Sequence, residues 1–87
     1  MVVGLTVNVG TTAVNLNTAL GLGRGDYHLV FRGANYVSIG DSAVTFTGGF
    51  PLPTNASDYF HMDLRAGDEI YAISSTSTQV YVLAYEV

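Results

Sequence analysis

Tyr59-Phe60-His61-Met62-Asp63-Leu64 alternates without a break, with Phe60, Met62 and Leu64 on one side and Tyr59, His61 and Asp63 on the other. Successive Cβ atoms of an extended chain project to opposite sides, so a period of two marks a β-strand with one buried face. The same period recurs upstream. Val3, Leu5, Val7 and Val9 alternate with Gly4, Thr6 and Asn8, and Tyr27, Leu29 and Phe31 alternate with His28, Val30 and Arg32. Downstream, residues 69–74 and 79–85 read as strands that are apolar on both faces: Tyr71 and Ile73 against Ile70 and Ala72, then Tyr81, Leu83 and Tyr85 against Val80, Val82 and Ala84. Such strands are covered on both sides, or turn one face to another molecule.

Turn chemistry separates these runs. Gly21, Gly23 and Gly25 with Arg24 and Asp26 form a reversing loop, because glycine reaches positive φ at little steric cost. Gly33-Ala34-Asn35 predicts a hairpin between the strand from Tyr27 and Tyr36-Val37-Ser38-Ile39. Ser75-Thr76-Ser77-Thr78 predicts a second hairpin joining the last two strands. Val44 and Phe46 are expected to share a face of a brief strand. Phe50-Pro51-Leu52-Pro53 is expected to form an ordered loop, since proline cannot donate to a ladder. Val14, Leu16 and Leu20 support a strand, which the following glycines could end as early as Leu16, in competition with a short helix over 12–20 capped by a threonine. Six to eight short strands without a long helix define an all-β class, a small antiparallel β-sandwich or barrel, with residues 1–87 as one domain. At 87 residues, two cores would each be too small to offset the entropy of ordering the chain.

Charge limits the function classes. Only 11% of residues are charged, against about a quarter in an average soluble domain. The net charge is −4, lysine is absent, and Arg24, Arg32 and Arg65 are scattered. Nucleic-acid binding is not expected, because phosphate neutralisation needs a basic face. With no cysteine, there is neither a disulfide nor a thiolate metal site. No apolar run reaches the ~20 residues that cross a bilayer, so a soluble chain made in the cytosol, without a membrane partner, is expected. So neutral a surface does little to discourage association.

Reactive groups do not assemble into a recognisable centre. His28 and His61 lie mid-strand without the three or four converging ligands of a metal site. His61 and Asp63 share the polar face of one strand, but no nucleophile is placed against them. Asp58, Asp63, Asp68 and Glu69 lack the spacing of a calcium loop. Residues 21–25 lack the Lys-Ser/Thr and the helix that complete a phosphate cradle. Asn55-Ala56-Ser57 matches a glycosylation acceptor, which means nothing without secretion. The reading is a chain with no catalytic residue, no cofactor and no metal. The six tyrosines, Tyr27, Tyr36, Tyr59, Tyr71, Tyr81 and Tyr85, all fall in predicted strands, and such amphipathic rings are enriched where one protein meets another.

Residues 34–45 (Ala34-Asn35-Tyr36-Val37-Ser38-Ile39-Gly40-Asp41-Ser42-Ala43-Val44-Thr45), Gly49-Phe50-Pro51-Leu52, Met62-Asp63-Leu64, Ile70-Tyr71-Ala72-Ile73 and Val80-Tyr81-Val82-Leu83 together resemble small β-rich virion proteins of tailed bacteriophages. The opening Val7-Asn8-Val9 and Thr12-Ala13-Val14-Asn15-Leu16 also fit that pattern, whereas residues 21–26 and 55–59 depart from it. The resemblance implies a capsid decoration (cement) protein made in the host cytoplasm and carried on the capsid surface of the virion. Its implied partners are the major capsid protein or other virion proteins, with self-association into a homo-oligomer, commonly a trimer. A small domain of a head fibre, neck or tail protein, or a carbohydrate- or receptor-binding module, is the alternative. The expected contact surface is Phe50, Pro51 and Leu52 with Tyr59 and Tyr81 as rigid anchors. Phe50 and Leu52 plugging one end of the sandwich is the competing role.

Overall fold

In the computed structural model, which describes residues 2–55 and 57–87, the alternating stretches become strands of two four-stranded antiparallel sheets. Along the chain these are β1 (Val2–Val9), β2 (Val14–Asn15), a short helix α1 (Leu16–Leu20), β3 (Tyr27–Gly33), β4 (Ser38–Gly40), β5 (Phe50–Pro51), β6 (Phe60–Leu64), β7 (Tyr71–Ile73) and β8 (Thr78–Glu86). The first sheet has the order β1-β8-β3-β6 and the second β2-β7-β4-β5. The expected small all-β sandwich is the observed architecture.

The core lies between the sheets. Tyr27, Leu29 and Phe31 of β3 are buried alongside Val80, Val82 and Ala84 of β8, Val7 and Val9 of β1, and Leu64 of β6. Val37, Ile39, Leu52, Ile70 and Ala72 close the layer from the other side. Phe31 is fully buried and meets Phe60 edge-on at 5.6 Å between ring centroids. Ser38 and Ser74, the buried polar residues of the core, are each satisfied. The Ser38 hydroxyl donates to the Phe46 carbonyl at 2.6 Å and that of Ser74 to the Tyr36 carbonyl at 2.8 Å. Burial without these bonds would cost about 1–3 kcal/mol per hydroxyl.

Both expected hairpins are replaced by crossovers. β3 pairs with β6 and β8, and β4 with β5 and β7. β7 pairs with β2 and β4, whereas β8 pairs with β1 and β3. The chain changes sheet at every connection between these strands except β4–β5. Gly33 shows how one crossing is made: a β-carbon there would collide with the Asn35 carbonyl oxygen, so the chain turns out of the first sheet only because the side chain is missing. The turn is then locked from outside, Gly33 N–H donating to the Pro53 carbonyl at 3.0 Å and Ala34 N–H to the Gln79 carbonyl at 2.8 Å. Short polar connections look alike whether they fold a ribbon back or carry it across a sandwich.

Three local expectations change as well. The segment after Val14 is strand for two residues and then helix, shorter than the 12–20 alternative and capped by Asn15, whose Oδ1 accepts the Thr18 N–H at 3.2 Å. A spacing of four is even, so Leu16 and Leu20 share a face in a strand and also in a helix. Both are buried. Gly21 at φ 69° ends the helix in the left-handed region. No strand forms at Val44 and Phe46. Asp41 accepts Ala43 N–H through its side chain and Val44 N–H through its carbonyl, which winds this stretch into turns. Phe50-Pro51, expected as loop, makes a two-residue pairing with Ile39 and Ser38 at the edge of its sheet, where the missing proline N–H is tolerated.

Candidate docking face

The outer face of the β1-β8-β3-β6 sheet carries exposed apolar and aromatic side chains. Registers fix its rows. Gly4, Leu83, Val30 and His61 lie side by side across the four strands, as do Val2, Tyr85, His28 and Asp63. Between Thr6 and Tyr81 on one side and Tyr59 on the other lies Arg32. Val2, Leu83 and Tyr85 are 69%, 42% and 39% exposed. A shallow groove of about 700 Å³ runs over this face, lined among others by Gly4, Val30, Tyr59, Tyr81 and Leu83. A β-carbon at Gly4 would make ordinary contact with the Leu83 side chain at 3.7 Å.

Arg32 organises the aromatic part of the face. Its guanidinium carbon lies 4.6 Å from the centre of the Tyr81 ring and 5.6 Å from that of Tyr59. A guanidinium held against aromatic rings is attracted by their π-electrons, by about 0.5–1 kcal/mol at exposed sites. The clamp fixes three long side chains in one arrangement.

At the opposite corner, Asp63 Oδ1 lies 2.8 Å from His28 Nδ1, and His28 Nε2 lies 3.2 Å from His61 Nδ1. The three residues form a carboxylate–imidazole–imidazole relay on the surface, with the Tyr85 ring 5.1 Å from that of His28. A neutral His28 that donates from Nδ1 to Asp63 accepts from His61 at Nε2. Among the described residues, no hydroxyl bonds either ring. Among the described residues, no three His, Asp or Glu side chains converge as metal ligands. No described helix is long and apolar enough to cross a membrane.

The five expected contact residues divide between two places. Tyr59 and Tyr81 stand on the outer sheet face, Tyr59 exposed and Tyr81 half-buried by its arginine. Phe50 and Pro51 are exposed on the edge of the second sheet. Phe50 stacks on Phe60 at 4.8 Å and lines a separate side groove with Met62 and Ile70. Leu52, expected as a contact residue with an end plug as the alternative, is core at 4% exposure, its N–H held by the Val37 carbonyl at 2.9 Å. Ala56, the middle residue of the glycosylation pattern, lies outside the described residues. Arg32, Val30, Leu83 and His28 were not singled out as contact residues. The signal for them was the alternation of β3 and β8, which assigns them to the side opposite the core. No family model, curated protein or solved structure matches the chain.

Proposed function

We propose that this chain is a structural virion protein of a tailed phage, of the capsid-decoration kind, and that it binds the outer shell through the exposed face of the β1-β8-β3-β6 sheet. The observation that carries the reading is the composition of that face: Val2, Val30, Leu83, Tyr81, Tyr85 and Tyr59 project from it. Apolar and aromatic side chains interleaved with a few polar ones, on a chain with so little charge, suit a protein-binding surface. Rigid tyrosines supply contact area with little loss of conformational entropy. No reaction is needed for such a role. A subunit that binds only the assembled shell shifts the equilibrium towards assembly. Three copies in a closed ring would multiply weak contacts through avidity.

The test is co-sedimentation of the purified chain with empty heads of the phage that encodes it, for the wild type and for Leu83→Lys. The wild type is expected to pellet saturably and the variant to remain in solution while keeping its fold. A chain that stays strictly monomeric and leaves the heads bare overturns the reading. Binding of isolated glycans in place of heads would assign it to carbohydrate recognition.

A further inference from the structure

Arg32 sits at the centre of the docking face without an acid. Among the described residues it makes neither a hydrogen bond nor an ion pair, and its Nε is buried with no acceptor. The two tyrosine rings hold the guanidinium plane in place, so little side-chain freedom remains to be lost when an acceptor arrives. Beside it runs the groove over Gly4, Val30 and Leu83, to which no acidic side chain contributes. The site therefore offers an immobilised positive charge next to an apolar trough.

We infer that this groove takes a carboxylate-bearing protein segment, in which an Asp, Glu or C-terminal carboxylate meets the terminal nitrogens of Arg32 and a neighbouring apolar side chain lies over Leu83 and Val30. The inference rests on the docking reading and adds the chemistry of the partner. Because Nε is covered, the carboxylate approaches end-on, one oxygen to each terminal nitrogen, the paired geometry that arginine offers and lysine does not. The trough favours a peptide over an acidic sugar. Its floor is aliphatic, the Tyr81 and Tyr59 rings already carry the guanidinium, and Thr6 adds one hydroxyl.

Three arginines give three Nε–H signals in a spectrum of the 15N-labelled chain, and the one lost in Arg32→Met is that of Arg32. The probe is an end-capped hexapeptide alternating glutamate with leucine, and the control carries glutamine for glutamate. The glutamate peptide is expected to shift the Arg32 signal and the Leu83 amide, and to bind roughly tenfold or more weakly to Arg32→Met and Arg32→Gln. Unchanged thermal midpoints show that both variants still fold. Equal shifts with the glutamine peptide overturn the inference and leave an apolar docking face standing. A response to N-acetylneuraminic acid alone overturns it in favour of an acidic glycan. No shift with either peptide at millimolar concentration also overturns it, while head binding is judged separately by sedimentation.

Discussion

The two sides of β8 are nearly equal in apolar character and have opposite fates. Val80, Val82 and Ala84 are buried, whereas Tyr81, Leu83 and Tyr85 face outward, the last two about 40% exposed. β3 repeats the contrast: Leu29 and Phe31 are fully buried, and His28, Val30 and Arg32 form part of the open face. The lesson is that hydrophobicity alone did not choose the core. Aliphatic side chains of fitting shape went inward. On β8 the rings with a hydroxyl went outward and on β3 the arginine and histidine did, whereas Tyr27 of β3 is buried; a buried guanidinium must find partners that an aliphatic layer does not supply.

If the inner side carries stability and the outer side carries binding, substitutions on the two sides must separate. Phe31→Ala is expected to be the most damaging, about 3–5 kcal/mol from lost burial and the cavity left behind. Chemical denaturation measures it, and a loss below 1 kcal/mol would mean that the inner layer is not the core described. Asn15→Ala removes the cap of α1 and the 2.7 Å bond to Glu69 as well, and should cost about 1–2 kcal/mol. Gly21→Ala forces an alanine to φ 69°, with an expected loss of about 1 kcal/mol in the same measurement. Leu83→Thr on the outer side should change stability by no more than about 0.5 kcal/mol. Sedimentation with heads should nevertheless weaken. A Leu83→Thr protein that unfolds as readily as Phe31→Ala would erase the distinction between the faces.

Much of the strand content was legible because the strands of the first sheet obey a period of two over five or more residues. β1, β3, β6 and β8 lie where the alternation of Val7, Phe31, Leu64 and Val82 placed them. The second sheet was read less well. β2, β4, β5 and β7 are two or three residues long, too short for a period to be expressed, and they are held by partners distant in sequence. α1 was ambiguous because a spacing of four between Leu16 and Leu20 satisfies both periods. Tyr59 and Tyr81 were legible as contact candidates from their type and alternation. For Leu52 the sequence left contact residue and end plug as alternatives, since one leucine between two prolines carries no period at all.

Sequence by itself determined the all-β class, the positions of the long strands, and a surface almost free of charge, because these follow from local periodicity and composition. Tertiary structure alone decided that successive strands cross between sheets, that Leu52 is core, that Arg32 lies between Tyr59 and Tyr81, and that Asp63 meets His28. Each of these depends on which strand neighbours which, and pairing between segments distant in sequence is set by the packing of the whole sandwich.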